Sequence, residues 1–244
     1  MKIGDFFYLS SVEVIEKPRE TTSAAGAAER TPGKGVAHIF KFDAKGRLVK
    51  DLVLGEEEMY HPGGLDYDGR WIWVPVAEYR PKSRTIVYRV DPGSMQPSEA
   101  FRFPDHVGSL TRNLDDGTLV GVNWGTQVLY TWDLTGKKLM QSASWGNHYI
   151  DYQDCHFAGG RAMLCGGSSY FPGTPIGDIA FGGLELIDLK RMTPVEQIPV
   201  LQFTPTTKMV LTRNPMWAEP YQEGLRFYFL PEPGGTSLYV YDAR

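Results

Sequence analysis

The chain has 244 residues, with 29 acidic against 25 basic side chains, a formal net charge of −4 and no basic tract. A general nucleic-acid binder carries a basic face, so that class is set aside. Apolar residues reach 42% and aromatics 13%, enough for a large core. The longest apolar run, Trp71 to Ala77, is too short to cross a bilayer, so no membrane insertion is expected. Met1 to Val14 lacks the charged and apolar regions of a signal peptide. As it stands the chain reads as cytoplasmic, and as secreted if its start is truncated.

In chain order the strands come first. Phe6 to Val14 is apolar and aromatic, Val36 to Phe42 alternates, and Leu48 to Leu54 follows. Between the first two lies Glu16 to Gly35, rich in Ala, Thr, Gly and Pro and expected to be a mobile loop. The stretch His61 to Asp91 is the clearest unit. Leu65 to Tyr67 ends in Asp68-Gly69, Trp71 to Tyr79 follows, and Arg84 to Val90 stops at Asp91-Pro92-Gly93. An Asp-Gly pair between apolar runs is a strong hairpin signal. Similar turns, Asp116-Gly117, Gly159-Gly160 and Glu223-Gly224, precede Leu119 to Trp124, Ala162 to Cys165 and Arg226 to Leu230. Ser237 to Tyr241 is the last strand, and Gly166 to Gly182 reads as a long loop. Helical spacing of apolar residues is almost absent.

A repeat runs through these strands. An alternating strand ends in Asp five times, at Asp43, Asp91, Asp133, Asp188 and Asp242, 42 to 55 residues apart. Each Asp is expected to accept hydrogen bonds from the turn that follows it. Five such units of about four short strands predict an all-β fold, a β-propeller. The expected units are about 1–58, 59–104, 105–147, 148–213 and 214–244, forming one domain of five blades. A β-sandwich fits the strands but not the repeated marks. No inner strand is seen before Phe6 and no outer strand after Tyr241, so the seam is expected to be incomplete. A missing N-terminal stretch would explain this, and six blades then remain open.

The chain is similar to propeller proteins in general. Its His61-Pro62-Gly63-Gly64-Leu65, with Asp68, resembles the H-P-x-G-L motif of lactonase-like and NHL-type propellers. Across most of its length it also resembles a bacterial propeller family of uncharacterised function. These resemblances imply the fold and supply no activity.

Cys155 and Cys165 flank Gly159-Gly160 at equal distance from Gly160, so a hairpin there sets them opposite each other. Such pairs can meet disulfide distances. Two cysteines in a chain of this length are not a disulfide framework, and they are read as buried free thiols.

Loop lengths point to one face of the propeller, because the long connections join second to third strands. The residues leading into the innermost strands on that face are His61, His106, His148 and Asn214. Three of five histidines share that position. Second strands end nearby with Glu13, Glu78 and Glu232, with Asn123 in the third unit, and Arg80 and Arg213 are close. One reading is a divalent metal held by His61, His106 and His148, with Zn, Fe, Ni, Cu or Ca as candidates. Glu78 and Asp154 are then acid–base candidates, Arg80 or Arg213 fixes an anionic group, and Asn214, Glu13 and Tyr152 complete the ligand site. Asp151 stands beside Tyr152 as a further ligand or base. Such a centre suits a hydrolase, isomerase or lyase. The other readings are a metal-free site for a small polar or anionic molecule, and a channel merely lined by repeat residues. The rival function is a non-enzymatic protein-interaction scaffold. No nucleotide cofactor is expected, since no P-loop or dinucleotide fingerprint occurs. Fold alone does not choose among these.

Overall fold

The computed structural model describes residues 1–22, 28–144, 149–175 and 177–244. Its strands fall in chain order into successive antiparallel sheets. The first sheet contains β1 (Lys2–Ile3), β2 (Phe6–Glu16), β5 (Lys34–Asp43) and β6 (Leu48–Leu54) in that spatial order, with a separate ribbon of β3 (Glu20–Thr22) and β4 (Ala28–Arg30) between β2 and β5. The second has β7 (Met59–Pro62) and β8 (Asp66–Tyr67) side by side on β9 (Ile72–Glu78), then β10 (Thr85–Val90) and β11 (Pro97–Phe103). The third runs β12 (Ser109–Asn113), β13 (Thr118–Val122), β14 (Leu129–Trp132) and β15 (Lys138–Gln141). The fourth runs β16 (Asp151–Gly159), β17 (Ala162–Thr174), β18 (Gly177–Asp188) and β19 (Thr193–Val200). The fifth is β20 (Met216–Tyr221), β21 (Gly224–Phe229) and β22 (Tyr239–Ala243).

Each sheet packs on the next: β5 meets β7, β9 meets β12, β12 meets β16, and β16 meets β20. The fifth sheet reaches the first through Lys2 Nζ, 2.8 Å from Glu219 Oε1, and through the rings of Phe7 and Tyr228, 5.7 Å apart. This arrangement is a β-propeller. Its core lies between the sheets. Ile39, Val74 and Val76 fill the first gap, and Trp73, Leu110 and Trp132 the second. Val120, Ile150 and Met163 fill the third, and Leu184, Leu211 and Met216 the fourth. Each buried aliphatic side chain contributes roughly 1.5–3 kcal/mol of transfer free energy.

The aspartates that mark the repeat act as turn acceptors in four units. Asp43 Oδ1 accepts from the amides of Lys45 and Arg47, Asp91 from Gly93 and Ser94, Asp133 from Thr135 and Lys137, and Asp188 from Lys190 and Arg191. Asp242 differs and pairs with the Arg226 guanidinium through both oxygens.

Four expectations need correction. An inner strand does precede Phe6, since β1 pairs with β2. The segment Glu16 to Gly35, where described, is not an open loop: β2 runs on to Glu16 and β3 pairs with β4. Gly166 to Gly182 is likewise no loop, because β17 and β18 pair from Ala162↔Asp188 out to Thr174↔Gly177. Small and β-branched residues there simply extend the ladder. The cysteines are joined as a disulfide rather than free. Cys155 lies directly opposite Cys165 with the Cα atoms 4.1 Å apart, the close spacing of a non-hydrogen-bonded antiparallel pair. Among the described residues the fifth sheet has three strands.

The His61-Pro62-Gly63-Gly64-Leu65 stretch owes its glycines to close packing. A Cβ on Gly63 would stand 2.3 Å from the Gly108 carbonyl oxygen, and one on Gly64 only 2.4 Å from Asp154 Oδ1. That approach lets Gly64 bridge to Ser109 and ties the second sheet to the third at the axis.

Candidate functional site

Where the inner strands begin, a cavity of about 580 Å³ opens at the axis. All five sheets contribute. β2 supplies Ser10 and Ser11, and the second and third sheets supply His61, Tyr79, His106 and Trp124. The fourth sheet supplies Asp151 and Gln153, and the fifth Arg213, Asn214 and Glu232. Arg30 reaches in from β4.

One wall is a chain of stacked rings. His61 lies on Tyr79 with centroids 4.0 Å apart and planes 22° apart. His106 meets the Trp124 ring edge-on at 4.9 Å, and the two imidazoles are 5.8 Å apart. His106 Nδ1 lies 2.9 Å from the Glu78 carbonyl oxygen. A carbonyl only accepts, so Nδ1 carries the proton and Nε2 keeps its lone pair. Burial pushes His61 down to about 3, helped by His106 and the Arg30 charge, and pushes His106 down to about 4. Both rings are therefore neutral at pH 7. The Arg30 guanidinium covers this wall, 4.8 Å from the Tyr79 centroid and 5.2 Å from that of Trp124. Its Nε is shut from solvent and, among the described residues, has no hydrogen-bond acceptor.

The opposite wall is polar. Asp151 Oδ1 accepts from the Thr126 hydroxyl at 3.0 Å, and crowding by the cavity walls raises its carboxyl above the ordinary range. Glu232 accepts from the hydroxyls of Thr236, Thr207 and Tyr239, bonds that lower its carboxyl. Asn214 Nδ2 donates to the Pro231 carbonyl at 2.7 Å, which fixes the amide at the rim. Arg213 is exposed, and among the described residues it has no ion pair.

Of the residues singled out from the sequence, His61, His106, Asn123, Asp151, Tyr152, Arg213, Asn214 and Glu232 line this cavity. His148 lies outside the described residues. The Tyr152 hydroxyl turns away and donates to the buried Glu185. Glu78 is not on the cavity wall. Its carboxylate is buried and clamped, Oε2 by Arg80 Nε at 2.6 Å and Oε1 by Arg84 Nε at 2.7 Å. This also commits Arg80, which bonds Glu58 as well. Glu13 points outward, its side chain 66% exposed, because alternation on β2 turns Val12 and Val14 toward the cavity instead. Asp154 is sealed further along β16, 3% exposed, with burial raising it to about 7. Among the described residues, no three His, Cys, Asp or Glu side chains gather closely enough to hold a metal ion.

Sequence reasoning missed Arg30, Tyr79 and Trp124. The last two carried a usable signal, since each follows directly on an aligned residue, Glu78 and Asn123, at the end of a second strand. Arg30 was hidden in a segment read as loop.

The chain shows a fold-level likeness to several solved structures. To a hydrazine synthase chain from Kuenenia stuttgartiensis it is 12% identical with a TM-score of 0.41, covering 91% of this chain and 65% of that one. The chain therefore spans slightly less than two thirds of that protein's length. To a protein of unknown function from Bacteroides caccae it is 10% identical with a TM-score of 0.48, covering 88% and 70% respectively. To the WD40 repeats of RRP9 it is 12% identical with a TM-score of 0.41, covering 95% and 83%. No curated protein matches. The model of the DUF6454 family, a family of unknown function, matches residues 1–244, and the chain belongs to that family.

Proposed function

We propose that this protein binds a small anionic molecule in the axial cavity. One observation carries the reading: two guanidinium groups, Arg30 and Arg213, face a single cavity, and among the described residues neither has a carboxylate partner. Leaving a half-buried guanidinium without an acceptor is costly, and an incoming oxyanion removes that cost. The neutral imidazoles bring no charge of their own, and His106, its proton committed to the Glu78 carbonyl, can only accept at Nε2. Tyr79 and Trp124 offer an apolar wall, and Gln153 and Asn214 add polar contacts, the usual mix of a ligand pocket. No reaction is part of this reading.

Thermal unfolding in the presence of small anionic, neutral and cationic compounds tests it. At a hundredfold excess over Kd a ligand adds about 2.7 kcal/mol of stability. For a chain of this size that raises Tm by roughly 5–10 °C. Anions alone should produce such shifts, and the variant carrying both Arg30→Gln and Arg213→Gln should lose them. Equal shifts with neutral compounds, or shifts that survive in that double variant, would overturn the reading.

A further inference from the structure

The two cations that lack a carboxylate partner among the described residues stand on different sectors of the ring. Arg30 lies over Tyr79 and Trp124, which belong to the second and third sheets. Arg213 ends the short turn Leu211–Arg213 that leads into the fifth sheet. That turn is anchored to the fourth sheet, where Thr212 Oγ1 accepts from the Gly183 amide at 3.0 Å and donates to the Gly167 carbonyl at 2.7 Å. The carboxylates in the cavity are already engaged, Asp151 by Thr126 and Glu232 by three hydroxyls. An anion with a single acidic group meets one guanidinium and leaves the other as it was.

We propose that the ligand is a small dianion with its acidic groups at opposite ends, of the dicarboxylate class. One end rests on Arg30 against the Tyr79 and Trp124 rings, and the other on Arg213 beside Asn214. This rests on the reading of the cavity as an anion site and narrows it. The Glu232 carboxylate, held ionised by its hydroxyl partners, opposes clustered negative charge near Arg213. Two separated single charges are therefore favoured over one compact polyanion such as pyrophosphate. A cavity of about 580 Å³ holds such a molecule with its solvent.

Titration calorimetry at pH 7.5 and constant ionic strength decides it, with succinate, glutarate and adipate set against butyrate and hexanoate. Wild type, Arg30→Gln, Arg213→Gln and the double variant are compared, each shown to be folded by its near-ultraviolet circular dichroism. One dicarboxylate should bind wild type at least about tenfold more tightly than either monocarboxylate, the size expected of one added charge-assisted bond. Each single variant should reduce that dicarboxylate to the monocarboxylate level, and the double variant should bind neither. Equal binding of mono- and dicarboxylates, or sensitivity to only one arginine, overturns the dianion and leaves the anion site standing. Absence of binding by every acid, in wild type and variants alike, overturns both.

Discussion

Two polar regions share the inner strands of this propeller and are built on opposite terms. At the mouth, the Arg30 and Arg213 cations line a cavity together with the neutral rings of His61 and His106, of which His106 is itself buried. Further along the same strands, Asp66, Asp154 and His156 are buried. There the Asp66 carboxylate accepts from the amides of Tyr67 and Arg112, each at 2.9 Å, and of Phe157 at 3.1 Å. One side chain thus joins the second, third and fourth sheets. Asp66, satisfied within the protein, makes a fastener, although among the described residues Asp154 Oδ1 and His156 Nδ1 are buried without a partner; the cations left without a carboxylate at the opening make a site.

The strongest way to break the contrast is at the fastener. Asp66→Ala leaves three backbone amides without their acceptor in a buried setting, and should cost about 3–5 kcal/mol of unfolding free energy. Urea denaturation measures this directly; a loss below about 1 kcal/mol would show that the three sheets are held together some other way. A smaller loss is expected where the second and third sheets touch. Gly64→Ala places a Cβ 2.4 Å from Asp154 Oδ1 and 2.6 Å from Ser109 Oγ, an overpacking worth about 2–3 kcal/mol. Gly69→Ala meets open space and bears only its positive φ of 88°, about 1–2 kcal/mol. Equal losses in the two alanine variants would remove close packing as the reason for Gly64.

The interior also has a pH signature. Burial holds His61, His106 and His156 at about 3, 4 and 3, against 6.5 for a free imidazole. Below 6.5 the unfolded chain takes up protons that the native state refuses, so their contribution to stability is lost as pH falls toward 3 to 4. Asp66 and Asp154 run the other way. Burial raises both to about 7 from 3.8, so the native state holds more protons between those values. Their contribution is fully present below 3.8 and is lost as pH rises through about 7. In wild type the two aspartates offset the slopes of two of the three histidines. Asp154→Asn deletes one of them, and its stability should climb more steeply from pH 4.5 to 6.5 than that of wild type. The added slope is at most about 1.4 kcal/mol per pH unit. An unchanged slope in parallel urea titrations would mean that Asp154 is ionised throughout.

Much of the frame was legible in the sequence because it rests on local chemistry. Asp43, Asp91, Asp133 and Asp188 end strands and cap the turns beside them, a job needing only neighbouring residues. His61 and His106 were placed at the cavity by counting along a repeat. Arg30 could not be found that way, because it gains its position from a ribbon, β3 with β4, outside the repeat. The roles of Glu78 and Tyr152 failed for another reason. Strand alternation tells which face a residue takes, but not that Arg84 would claim the first carboxylate or Glu185 the second hydroxyl. Asp66 went unremarked since its partners, Arg112 and Phe157, are distant in sequence.

The smallest expected effect sharpens the comparison most. Arg30 touches the protein through two aromatic faces, and an exposed cation–π contact is worth about 0.5–1 kcal/mol. Among the described residues its Nε lacks an acceptor, which offsets part of that gain. Arg30→Gln should therefore shift unfolding free energy by less than about 1 kcal/mol, and Arg213→Gln, with no ion pair to lose among the described residues, by less than about 0.5 kcal/mol. A protein that tolerates both substitutions, yet loses several kcal/mol with Asp66→Ala, keeps its mouth cations for something other than holding the ring together. If Arg30→Gln instead proved as damaging as Asp66→Ala, the guanidinium would be a second fastener, clamping the β3–β4 ribbon to the second and third sheets, and the ligand site would have to rest on Arg213 alone.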